Sequence, residues 1–106
     1  MYTTLIIARL QRPDFDSIAN IFGKFDETDM PQRMGTQRRQ LFHFHDLYIH
    51  AQDFAADHGQ QRVEESKEDP RFVQISKDLR QFFEPYDPNW ASPKDAMASC
   101  FYRWPE

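Results

Sequence analysis

The hydrophobic positions of the chain recur at two spacings, and the switches between them mark out its elements. Tyr2 to Leu10 (YTTLIIARL) is apolar and β-branched over the length of one buried strand. Pro13-Asp14 opens a helix. Phe15, Ile18, Ala19, Phe22 and Phe25 then follow helical spacing, with Asp16 and Ser17 in the first turn, where the helix dipole favours them. DETDMP, residues 26–31, reads as a loop. Two strands, 36–44 and 47–51, are split by a tight reversal. A polar, weakly patterned helix covers 55–67, and Asp69-Pro70 supplies an N-cap and a first-turn proline for another. That third helix carries the clearest stripe of the chain, Phe72, Ile75, Ser76, Leu79, Phe82 and Phe83. Pro85, Pro88 and Pro93 make 84–94 a loop, and 97–104 reads as a last strand.

The resulting order, β-α-β-β-α-α-β, predicts one α+β domain over residues 1–106 of ferredoxin-like type. Its four-stranded antiparallel sheet has helices on one face. The other face is left bare, to be polar, to serve as a pocket wall or to be covered by a second sheet in a dimeric α/β barrel-like assembly.

The hairpin is where chemistry gathers. With His45-Asp46 as the turn, Phe44 stands opposite Leu47, His43 opposite Tyr48, Phe42 opposite Ile49 and Leu41 opposite His50. One face then reads Phe42, Phe44, Leu47 and Ile49. It is wholly apolar and is expected under the helices. The other reads Arg39, Leu41, His43, Tyr48 and His50, expected on the uncovered face. A guanidinium, two imidazoles and a phenol on one side of an otherwise apolar hairpin suggest a site. His43 and His45 share a strand face and could begin a metal site, with a third ligand from His50 or Asp46. Yet His45 sits at the turn and no carboxylate is placed to finish the set, so no metal is expected.

Composition narrows the function classes. The net charge of −4, with Lys and Arg scattered apart from Arg38-Arg39, gives no footprint for nucleic acid. Cys100 is the single cysteine, which rules out an intrachain disulfide and a Cys-based zinc cluster, and its position on a strand suits a small hydrophobe better than a nucleophile. Three glycines form no phosphate loop, so no nucleotide cofactor is expected. No segment has signal-peptide or membrane-spanning character, and the expected compartment is the cytoplasm. Ten Phe residues in so polar a chain need a partner subunit or an aromatic ligand to pack against.

The stretch RRQLFHFHDLYIH, Arg38 to His50, resembles the matching stretch of the tetracenomycin F2 cyclase family of aromatic polyketide cyclases. FDETDMP, DPRF and CFYRW resemble that family's loop, helix start and final strand, in the same order, with a weak patch around 52–61. The resemblance implies a dimeric ferredoxin-like protein of an antibiotic-producing bacterium. It would close a late ring of a polyketide by intramolecular aldol condensation and dehydration, without metal or organic cofactor. It also implies a homodimer in transient contact with polyketide synthase components. Arg39, His50 and Asp26 match family residues considered for the active site. Where the family pattern has His-Asp this chain has Phe25-Asp26, and His43, where that pattern has an arginine, is the nearest replacement. The roles expected are Arg39 for the oxyanion and His50 as general base. Tyr48 and His43 are acid or orienting groups, and Asp26 orients a histidine. Two other classes fit the same residues: a cofactor-free monooxygenase of this fold acting on a phenolic substrate, and a non-enzymatic partner that shields the polyketide.

Overall fold

The computed structural model describes residues 2–57, 59–91 and 93–105. The chain runs β1 (Tyr2–Leu10), α1 (Phe15–Asp26), α2 (Met30–Met34), β2 (Thr36–Phe44), β3 (Leu47–Phe54), α3 (Gly59–Ser66), α4 (Pro70–Leu79) and β4 (Phe83–Pro85). One 3-10 turn follows at Pro93–Ala96. The four strands form one open antiparallel sheet in the order β2-β3-β1-β4, the ferredoxin-like arrangement that the element order predicted. Among the described residues no helix is long and apolar enough to cross a membrane.

Local chemistry explains the boundaries. Asp14 caps α1, its carboxylate accepting from the Ser17 backbone N–H at 3.1 Å and from the Ser17 hydroxyl at 2.8 Å. Asp69 caps α4 by accepting from the Arg71 N–H at 2.9 Å, with Pro70 in the first turn. The hairpin register is the one expected, Leu41 opposite His50 through Phe44 opposite Leu47, and His45 turns the corner at φ 54°.

Four boundaries differ from the sequence expectation. The 26–31 loop continues into α2, which ends on Gly35 at φ 79°, a backbone geometry that favours glycine. β3 runs on through Phe54, because Gln52 and Asp53 keep strand pairing with β1 and β2 although their polarity hides it. The second helix is shorter, Gly59–Ser66, and begins where Gly59 passes so close to the Phe54 ring that a Cβ there would lie 2.3 Å from it. Phe82 and Phe83 leave the helix instead of extending its stripe, and Phe83–Pro85 becomes β4 against Ala8–Leu10. The predicted last strand, 97–104, is therefore not the fourth strand. Only Met97 bridges, to Ile6, and Ala98 donates to the Leu5 carbonyl at 2.7 Å. Beyond it Phe101, Tyr102 and Trp104 are exposed. The pairing place beside the end of β1 is taken by the shorter segment that leaves α4 directly.

The largest correction concerns which face the helices cover. Along β3 the burial alternates so that Tyr48, His50, Gln52 and Phe54 are buried. Tyr48 and Phe54 lie with Ile18, Phe22 and Phe25 of α1 and Ile75 of α4 in one core, and His50 and Gln52 border one cavity with Phe22, Phe25 and Ile75. Phe42 and Phe44, expected under the helices, are half exposed on the other face. The sorting of residues into two faces is as predicted, but the polar face, not the apolar one, lies under the helices. It can do so because Arg39 is paired with Asp26 and His50, and Gln52 accepts from Thr36.

Candidate active site

Arg39 stands at the centre of that covered face. Its side chain is 8% exposed, and its guanidinium lies 5.3 Å from the centroid of the Phe22 ring and 5.6 Å from that of Phe25. Nε and Nη2 donate to the Asp26 carboxylate at the end of α1, at 2.9–3.1 Å. Nη1 lies 2.8 Å from Nε2 of His50, diagonally across on β3 and two residues from the register partner of Arg39. Arginine can only donate, so Nε2 accepts and a neutral His50 carries its proton on Nδ1.

Burial, and secondarily the positive charge of Arg39, pull the pKa of His50 from 6.5 down to about 3, so the ring is neutral at physiological pH. The ring meets Phe22 edge-on at 5.2 Å. Tyr48 is stacked on Phe83 at 3.9 Å, and burial raises its pKa despite the opposing field of Arg39, so the phenol keeps its proton. Arg39, Tyr48, His50 and Gln52 line a cavity of about 210 Å³ between sheet and helices, whose remaining wall is Ile6, Ala8, Phe22, Phe25, Met34, Val63, Phe72, Ile75, Ser76, Leu79 and Phe83. A larger hollow of about 800 Å³ lies between the first residues of β1 and the segment 97–103, and none of these buried polar groups borders it. The smaller cavity is the better site. Convergent polar groups in an apolar enclosure matter more than volume.

The structure thus brings together four of the five residues singled out in the sequence: Arg39, His50, Tyr48 and, through the guanidinium, Asp26. It does not bring His43 into the cavity. That ring lies outside, stacked on Phe15 at 4.3 Å, while Phe25 occupies the wall where the family pattern has histidine. His45 packs on Phe44, so His43, His45 and His50 have separate surroundings. No group of three or more metal-ligating side chains occurs among the described residues. Cys100 is exposed, with its thiol 3.3 Å from the Tyr102 carbonyl. Gln52 was missed. The one signal for it is parity, two residues on from His50 and four from Tyr48 on the same strand.

Comparison with known proteins adds the following. The model of the polyketide synthesis cyclase family matches residues 2–105. The chain is 39% identical over 105 residues to polyketide synthase CurG of Streptomyces cyaneus, covering 98% of this chain and 97% of that one. It is 34% identical over 103 residues to tetracenomycin F2 cyclase of Streptomyces glaucescens, covering 97% and 94%. The solved structure of the latter superposes with a TM-score of 0.90, covering 98% of this chain and 97% of that one. Protein Atu4242 of Agrobacterium tumefaciens, at 15% identity and a TM-score of 0.57 over 79% of this chain and 85% of that one, shares the fold alone.

Proposed function

The chain belongs to the polyketide synthesis cyclase family, and on that premise we propose that it closes a ring of an aromatic polyketide by aldol condensation and dehydration. The observation that carries this reading is the buried Arg39–His50 contact in an apolar cavity.

Ring closure needs a base for a proton α to a carbonyl, a donor for the enolate oxygen and an acid for the departing hydroxyl. The Asp26 carboxylate holds Arg39 through Nε and Nη2, which leaves Nη1 as the end at which a substrate oxygen can take the place of His50. When it does, the enolate receives a fixed cationic donor in a dry site. The Nε2 lone pair of His50 is released at the same moment, and the enolate offsets the Arg39 charge, the lesser cause of its low basicity beside burial. His50 takes the α proton, and the carbanion forms the new C–C bond to a second carbonyl carbon. The resulting alkoxide is protonated, with Tyr48 as the nearby neutral donor. The Tyr48 phenolate then takes a further α hydrogen while protonated His50 donates to the departing hydroxyl, which completes the aromatic ring, releases one water and restores both side chains. Holding both reacting ends of a flexible chain in one cavity supplies a further part of the acceleration.

The open face of the sheet carries Leu5, Phe42 and Phe44, each more than a third exposed, beside Leu47 and Ile49. We infer that a second copy covers it, giving a homodimer of about twice 12.7 kDa. We place the protein in the cytoplasm, beside the synthase that delivers its substrate.

The test is to incubate the purified protein with partly cyclised aromatic polyketides, tetracenomycin F2 among them, and weigh the products. The expected product is lighter by one water. A product heavier by oxygen would establish a monooxygenase, and tight binding without turnover a shielding partner. Because side chains account for every proton moved, turnover is expected to survive exhaustive chelation. Loss on chelation with recovery on adding a divalent metal would contradict that account.

A further inference from the structure

Gln52 is 2% exposed, yet it lines the cavity together with Arg39, Met34 and Val63. It is the register partner of Arg39, so the two side chains stand next to each other on the covered face. The Thr36 hydroxyl donates to its Oε1 at 2.8 Å. That contact turns the carbonyl end toward β2. The Nε2 end then has two N–H donors that meet no acceptor among the described residues. A buried amide with one end tied and the other facing an apolar cavity is a donor set awaiting a ligand oxygen.

We propose that Gln52 is a specificity-determining residue that reads a second oxygen of the substrate, 1,3-related to the one Arg39 takes. The ligand class is a β-diketone or a peri-hydroxy aromatic ketone, in preference to a ring bearing one oxygen. Two donors on adjacent strands suit two oxygens on neighbouring substrate positions, and a site built to hydrogen-bond a group discriminates against the analogue that lacks it. The inference rests on the proposed cyclase reading for the identity of the cavity, but its test does not depend on turnover. Thr36 is the positioning residue, holding the amide with its donors inward.

The probes are 8-hydroxy-1-tetralone and 1-tetralone, bicyclic ketones with two oxygens and one, titrated calorimetrically into wild type, Gln52→Leu and Thr36→Val. Wild type is expected to prefer the hydroxyketone by roughly tenfold, the size of one well-made hydrogen bond. Gln52→Leu should reduce that preference to within about twofold, and Thr36→Val should reduce it in part. Should Gln52→Leu fail to fold, Gln52→Met carries the same expectation and Thr36→Val the partial one. A preference that persists at wild-type size in the folded variants overturns the proposal, and leaves the cyclase reading intact if the wild type still forms the water-loss product. Failure of wild type to bind either probe overturns it too.

Discussion

The two faces of one four-stranded sheet have opposite characters, and they are not the characters that hydrophobicity assigns. The face under the helices carries Arg39, Tyr48, His50 and Gln52, while the face without helices carries Leu5, Phe42, Phe44 and Ile49. Ordinarily a charged group goes outward, because burying it unpaired is expensive. Here Arg39 is paired with Asp26 and His50, Gln52 is tied to Thr36, and aromatic rings of α1 cover the guanidinium. Once such groups satisfy each other, the covered face can hold them in the low-dielectric surroundings that give an oxyanion donor its strength. The apolar rings left on the other face then need a different cover.

The contrast can be broken most severely through the core. Phe54→Ala removes a ring that is fully buried on the covered face and is expected to cost about 3–5 kcal/mol in urea unfolding. Phe42→Ala, half exposed on the protomer, is expected to cost the protomer's own fold under about 1 kcal/mol. Any further loss comes from the inferred subunit contact and varies with protein concentration. Equal losses would mean that the faces are assigned wrongly. Phe44→Asp places a charge in the middle of the inferred subunit contact. Sedimentation should show dimer association weakened at least roughly 100-fold, with turnover per folded protomer changed less. An unaltered dimer would move the interface elsewhere.

Titration sharpens the contrast with a smaller effect. The pKa of His50 is about 3 in the folded chain against 6.5 for an ordinary imidazole. The unfolded chain therefore takes up a proton first as pH falls. Stability is full above pH 6.5 and is lost progressively toward pH 3, by about 2 kcal/mol between pH 6.5 and 5. Hydrogen bonds to Ser17 lower the Asp14 carboxyl, and those to Arg71 lower that of Asp69. Their contribution is lost only below the ordinary carboxylate value of 3.8, so the two windows separate. In His50→Gln the loss between pH 6.5 and 5 should vanish; a loss unchanged from wild type would show that another group titrates there.

Much of this was legible in the sequence. Period-2 alternation and a two-residue turn specify which hairpin residues share a face, because a register slip would move every side chain to the other side. The helical stripe of Ile18, Phe22 and Phe25 likewise specifies the buried side of α1. What the pattern does not carry is which face the helices choose, since that depends on long-range partners. Asp26 reaches Arg39 across 13 positions, and Thr36 reaches Gln52 across 16. Gln52 stayed hidden for the same reason, being an ordinary polar residue until Thr36 and Arg39 stand beside it. His43 failed as a replacement for the family histidine because Phe15, at the start of α1, holds its ring outside the cavity. The 97–104 segment looks like a strand through its apolar alternation, but no neighbouring strand of its own chain pairs with most of it.

The most direct test of the account is the rate of formation of the water-loss product by Arg39→Leu and Phe42→Leu, measured side by side on proteins shown to be folded. If the covered face carries the chemistry, Arg39→Leu loses about 10²–10³-fold in turnover, the size of one lost oxyanion donor, and Phe42→Leu stays within about threefold of wild type. Wild-type rates in Arg39→Leu together with a collapse in Phe42→Leu would place the reaction on the open face and contradict the account.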